Sequence, residues 1–246
     1  MSKTLVWDIP TRLFHGVFAA GFIAAAVISL LLGDDHPLFP YHAILGLAIS
    51  LMVLLRVVWG LVGTRYARFS NFAFGPAAVG QYMKSALFGG GQRYIGHNPG
   101  SAYAIFAMLA LMIGLAITGI MLGRGNEGVK ETHELLAYAM VVVVITHVAG
   151  VVLHMIRHRE NIVASMIHGR KRADPAEAIR SSHPALACAS LAVVAAWSFD
   201  LVRNFDPTTH TTRLPLLGTT LQMGEAEHET AGDHPSENNE RHDDDD

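Results

Sequence analysis

Four histidines have the residue chemistry and the spacing to hold metal: His15, His42, His133 and His147. His133 and His147 lie fourteen residues apart in one apolar segment. On a helix that is about four turns, so both imidazoles leave nearly the same face, about 21 Å apart along the axis. Such a separation suits one site near each side of a bilayer. Arg56 follows His42 by the same fourteen residues and reaches the depth of the second site. A cation there needs an anionic partner, and a carboxylate on a bound group is a good one. Snorkelling of the guanidinium toward lipid headgroups is the competing account.

These side chains need long helices to carry them. The chain is 51% hydrophobic and only 16% charged, unlike a typical soluble domain. Its apolar residues fall in runs at 11–32, 42–62, 102–122 and 135–156, each long enough to cross a hydrocarbon core of about 30 Å. A fifth, Ala-rich run covers 184–202, with Asp200 and Arg203 blurring its end. A soluble bundle is disfavoured, because five such runs leave too little polar surface to solvate. The expected fold is an all-α membrane protein, a four-helix transmembrane bundle plus a fifth transmembrane helix. The first run is not a cleavable signal peptide on this reading, since it lacks a small-residue cleavage site and carries Arg12 and His15.

Basic residues set the expected orientation. Lys3, Arg12, Arg65, Arg68, Lys84, Arg93 and the group from Arg157 to Arg180 fall on the N-terminal side of the bundle. The opposite loops hold Asp34 and Asp35, then Arg124, Glu127, Lys130 and Glu131. The positive-inside rule places the N-terminus in the cytoplasm of a bacterium, with the protein multi-pass in the inner membrane. Five spans put the C-terminus in the periplasm; four would return it to the cytoplasm. Residues 64–98 form the one long inner connection, and its mixture of aromatic and basic residues suits either a helix in the headgroup region or a short folded hairpin. The division expected is 1–171 for the transmembrane core, 172–205 for a linker and the fifth helix, and 206–246 for a polar, acidic, unstructured tail. The tail's His228, His234 and His242 are at most a weak metal site.

Cys188 is the only cysteine. That excludes an intramolecular disulfide, a Cys-x-x-Cys-His haem attachment and a Cys-ligated iron–sulfur cluster. Any cofactor is held by histidine without a covalent link. With spans alternating in direction, His42 pairs in depth with His133 toward the outer face, and His15 with His147 toward the inner one. Two histidines on opposite faces of a porphyrin give a six-coordinate iron suited to electron transfer, whereas zinc wants three or four ligands at one depth. Two non-covalent b-type haems, each between two histidines, are therefore expected, with Arg56 placed for an inner haem propionate. His154, two turns beyond His147, is an alternative inner ligand by depth alone. His36, His97, His158, His168 and His183 fall in loops or at interfaces, where exposed histidine is ordinary. Gly46, Gly114, Gly119 and Gly150 allow close approach of a helix or a porphyrin edge.

Several ordered motifs resemble those of the bacterial cytochrome b561 family, which includes the b-type cytochrome subunit of membrane nickel–iron hydrogenases. They are V-W-D-I-P-T-R-L-F-H (6–15), H-A-I-L-G (42–46), R-V-V-W-G-L-V-G (56–63), A-R-F (67–69), Y-I-G-H-N-P-G (94–100), T-H-E (132–134) and H-R-E-N-I (158–162). The resemblance spans about residues 5–171. It implies a four-helix core with two b haems, liganded from the first, second and fourth helices with fourteen residues between the two on the fourth. That corresponds to His15, His42, His133 and His147, and leaves His154 unliganded. It further implies electron transfer between quinone and a redox partner, a c-type cytochrome or a hydrogenase-like protein, in a respiratory chain. The chain is then an electron-transfer protein or the cytochrome subunit of a quinone-linked oxidoreductase; Arg12, Arg56 and Tyr41 are candidates near a quinone. Membrane lipid is the other expected partner, and nucleic acid is not. A stand-alone superoxide or metal reductase, a non-redox membrane anchor or assembly subunit, and a small transporter are the alternatives.

Overall fold

The first helix begins where Asp8 can cap it. In the computed structural model, which describes residues 2–89, 92–216 and 218–224, the Asp8 side chain accepts from the Thr11 backbone N–H at 2.8 Å. Pro10 sits in the first turn, where its missing N–H costs nothing. The helix α1 runs Ile9–Val27 and continues as a π-helical turn, Ile28–Leu32, that ends at Gly33 with φ +85°. The same start recurs: α2 (Phe39–Val62), α3 (Pro76–Phe88) and α4 (Pro99–Gly123) each carry proline in the first turn. Asn98 caps α4 by accepting from Ser101 N–H at 2.8 Å. Then follow α5 (Lys130–His158), a short α6 (Ile162–His168) and α7 (Pro184–Arg203).

Among the described residues, five helices are long and apolar enough to cross a membrane: Ile9–Leu32, Phe39–Val62, Pro99–Gly123, Glu127–His158 and Pro184–Arg203. Their outward faces fit that environment. Leu54, Val58, Leu61, Val142, Ile145 and Ile156 are each more than half exposed, a density of bare apolar surface that water does not favour. Helix α2 lies centrally and touches α1, α4 and α7, while α5 packs chiefly along α4. At mid-height Ile49 and Val53 of α2, Leu109 and Met112 of α4 and Met140 of α5 form the buried core. The phenyl rings of Phe14, Phe18 and Phe22 stack down α1 against it, with centroids 5.1 and 6.4 Å apart.

One end of the bundle is basic and tightly hydrogen-bonded. Strand β1 (Ser2–Leu5) pairs antiparallel with β2 (Arg170–Ala173), Leu5 opposite Arg170. The Val6 and Trp7 N–H groups both donate to Gly169 O, and Trp7 Nε1 donates to Ser165 Oγ at 3.2 Å. Buried Asp8 also accepts from Trp59 Nε1 at 3.3 Å and from the Thr64 hydroxyl. The W-D pair thereby joins the start of α1 to the end of α2 and to α6. The connection between α2 and α4 is a 3-10 turn at Phe69–Asn71 followed by α3.

The opposite end carries a hairpin of β3 (Thr211–Arg213) and β4 (Thr220–Gln222). Leu214, Leu221 and Met223 from it are buried against Ile44 and Leu47 of α2 and Leu201 of α7. This corrects the expectation of an unstructured tail from residue 206, because folded chain continues to Gly224. Three apolar side chains spread among polar ones give no continuous run, yet each finds a hydrophobic seat. The acidic remainder, with His228, His234 and His242, lies outside the described residues.

The cap and tether at Asp8 make it a stability determinant. Asp8→Ala removes a helix cap and strands two donors, so it should cost about 2–3 kcal/mol. The thermal unfolding midpoint of detergent-purified protein should drop clearly, and Asp8→Asn, which keeps an acceptor, should lose less.

Candidate functional site

Within an apolar slab every imidazole nitrogen must find its partner in the protein. His42 does so through Nδ1, 2.9 Å from the carbonyl of Ala25, just before the π-helical turn of α1. A carbonyl only accepts, so Nδ1 carries the proton and Nε2 presents its lone pair. The Nδ1 of His133 lies 2.8 Å from Thr118 Oγ1 on α4. With that hydroxyl donating onward to Gly114 O at 2.9 Å, His133 is likewise protonated on Nδ1. Both rings therefore offer Nε2 to a metal, each oriented by a hydrogen bond behind it.

The two ring centroids are 6.4 Å apart, with planes at 82°. A metal–nitrogen bond of about 2 Å, plus about 1 Å from nitrogen to ring centre, puts two opposed imidazoles about 6 Å apart across one ion. The pair has that spacing. A Cβ on Gly119 would meet His133 Cε1 at 3.5 Å, an ordinary van der Waals contact. Gly114 seats Leu136, whereas a Cβ at Gly46 or Gly150 would meet nothing within 4 Å. Helix packing accounts for Gly114, and open space adjoins Gly46 and Gly150.

The second site lies at the basic end. His15 of α1 and His147 of α5 are electrostatic neighbours. The neighbours of His154 are instead His158, Lys171, Glu160 and Arg93, with the His158 ring 4.4 Å away. Arg56 does not snorkel: it is 5% exposed, donates from Nη2 to Ala67 O at 3.2 Å and lies over the Phe69 ring, 5.0 Å from its centre. Its Nη1 is buried without a partner. Arg12 is committed elsewhere, donating to the Met166 and Ile167 carbonyls of α6. Tyr41 is exposed at the opposite end, near Phe205.

His97 differs from its expected place in an exposed loop. It is wedged between the Trp7 and Phe72 rings, 4.8 and 4.3 Å from their centres, and its Nδ1 is buried and unpartnered. Burial foremost, then Arg56 and Lys171, pushes its pKa down to about 3, so it is neutral at pH 7. The nearby Lys171 is also lowered by burial, partly offset by Glu160. The G-H-N-P sequence before α4 hinted at structure, but the rings that cover His97 come from distant segments.

Between the two sites sits Met140, fully buried and seven residues from both His133 and His147. Ile49 stands likewise midway between His42 and Arg56 and packs against it. Among the described residues no three His, Cys, Asp or Glu side chains gather around one point. Candidate ligands that meet in pairs, as His42 and His133 do, suit a planar macrocycle more than a bare ion. The unpartnered Nη1 of Arg56 fits a carboxylate on such a group.

A family profile described as prokaryotic cytochrome b561 matches residues 6–169. The chain belongs to this family. It is accordingly a membrane electron-transfer protein with haem b as the family's cofactor. A "Probable Ni/Fe-hydrogenase B-type cytochrome subunit" of Rhizobium leguminosarum bv. viciae is 25% identical, over 68% of this chain and 87% of its own length. Proteins of the same description from Bradyrhizobium diazoefficiens (25%, covering 68% and 85%) and Rhodobacter capsulatus (26%, covering 69% and 82%) are similar. No solved structure matches the chain. In this cytochrome b561 relative, α7 and the hairpin lie beyond the family match.

The Thr118 contact makes a specific prediction. Thr118→Val, which removes the hydrogen bond that orients His133, should weaken retention of the family's haem b about 10–100-fold, read by haem-transfer titration of the purified protein.

Proposed function

We propose that this cytochrome carries two b haems and moves electrons across the bilayer between the quinone pool and a redox partner protein. The observation that carries the reading is the His42–His133 ring pair, 6.4 Å between centres, with His147, seven residues beyond the buried Met140, an electrostatic neighbour of His15. On this reading His15 and His147 hold the inner iron, His42 and His133 hold the outer one, and Arg56 binds an inner propionate. Haem iron held by two imidazoles supplies one-electron ferric–ferrous cycling and leaves no open coordination position. The protein's share is to orient the imidazoles through Ala25 O and Thr118, and to keep water out with Met140, Ile49 and the phenylalanine stack.

The quinone half of the reading is supported by a cavity of about 140 Å³ between α1, α2 and α7. Leu13, Phe14, Leu55, Trp59, Leu191 and Val194 line it, with Arg56 in its wall. Its residues come from the start of α1 and the end of α2, the half of the bundle that holds His15. An apolar slot with one buried donor suits a lipid-soluble ring with carbonyl oxygens. The partner is a hydrogenase-like protein or a c-type cytochrome, the former favoured by the names of the relatives. The clustering of Lys3, Arg12, Arg65, Arg93 and Arg170–Arg172 at one end favours a cytoplasmic N-terminus in the bacterial inner membrane, with α7 carrying the hairpin to the far side. Residues 1–171 then form the dihaem core, and the segment from 172 adds the fifth helix.

Purified protein should show a b-type reduced-minus-oxidised spectrum at two haems per chain. His133→Ala and His147→Ala should each lose one haem, and His154→Ala none; two haems in either of the first pair would refute the ligand assignment. Leu191→Trp, which fills the cavity, should slow quinol oxidation about tenfold or more while the haem ratio stays unchanged.

A further inference from the structure

We propose that His97 is a second hydrogen-bond donor, beside Arg56, to the propionates of the inner haem. The inference rests on the dihaem reading above and assigns a further binding residue to its inner site. Of the buried polar atoms without partners at the basic end (Thr11 Oγ1, His154 Nδ1, Arg56 Nη1 and His97 Nδ1), the last two, donors with His97 protonated on Nδ1, belong to residues linked through packed rings. Stranding either without an acceptor is costly. They are joined by a continuous run of rings: Arg56 lies over Phe69, Phe69 meets Phe72 at 5.9 Å, and Phe72 meets His97 at 4.3 Å. Trp7 closes the other side of the imidazole at 4.8 Å. The groups facing His97 are Arg56, Lys171, His147 and His15, with no carboxylate among them. Lys171 is engaged by Glu160 at 3.9 Å and by the Tyr94 carbonyl. Asp8 acts on Arg56 and Glu160 on Lys171, but no carboxylate faces His97 itself, which adjoins His15 and His147. A carboxylate bonded by the imidazole N–H spreads less negative charge toward the iron, which holds the potential up.

The test is a redox titration of the two-haem protein that resolves each haem, together with resonance Raman of the propionate bending mode. His97→Phe keeps a ring between Trp7 and Phe72 and removes the N–H; His97→Gln restores a donor. Expected for His97→Phe is a lower inner midpoint and a shifted propionate band, with the outer haem unmoved and His97→Gln close to wild type. Loss of the inner haem in His97→Phe alone, with retention in His97→Gln, supports the same conclusion. An unchanged inner midpoint and band in His97→Phe overturns the inference while leaving the dihaem reading standing. So does an equal shift of both haems, or the same loss in both variants. A wild-type chain with fewer than two haems overturns the dihaem reading and this inference with it.

Discussion

The mid-height core through which α4 joins α2 to α5 governs the relative heights of the residues above and below it. Met140 is fully enclosed by Ile49 and Val53 of α2 and by Leu109 and Met112 of α4. Helices α2 and α5 rise about 1.5 Å per residue from that core. Seven residues in either direction therefore bring His133 toward His42, and His147 toward the level of Arg56. A slip of one turn would displace each group by about 5.4 Å and break both meetings together. Close packing in the core is thus what gives the histidines their shared heights. Because interiors pack at crystal-like density, the register has little freedom to drift.

Lipid imposes a second constraint. An apolar slab offers an imidazole little water, and His42 and His133 each commit one nitrogen to the protein. Ala25 O serves His42 and Thr118 serves His133. That commitment selects the tautomer, and the tautomer selects which nitrogen remains to bind metal. At the basic end the same accounting leaves a remainder. Arg56 uses one nitrogen on Ala67 O and keeps another unpartnered. Buried polar groups are nearly always paired, and this nitrogen has Asp8 in electrostatic reach but no hydrogen-bond acceptor.

Much of this was legible in the sequence because its signals are local. Runs of about twenty apolar residues mark spans without knowledge of their neighbours, and the fourteen-residue repeat is a property of a single helix. The prolines before α2, α4 and α7 and the cap at Asp8 are equally local. His97 was misplaced because nothing in Y-I-G-H-N-P-G says that Trp7 and Phe72 will cover it. The hairpin was missed for the same kind of reason. Leu214, Leu221 and Met223 become a hydrophobic cluster only when Ile44, Leu47 and Leu201 stand opposite them. Arg56 lies between these cases: its depth could be read from spacing, but the choice between snorkelling and burial depends on Phe69 and Ala67 folding back over it.

The two ends of the bundle are finally unlike in their electrostatics. Beside His133 stand His42 and Glu134. Around His97, by contrast, stand Arg56, Lys171, His147 and His15, at the end closed by β1, β2 and the Trp7 and Phe72 rings. Charges interact far more strongly in such an enclosed medium than at a wetted surface. A group able to gain or lose an electron would therefore experience different fields at the two sites, even with the same pair of ligands. Identical imidazole pairs on one scaffold need not make equivalent sites. The ligands set the kind of metal group, and the residues that close each end tune how readily it holds charge.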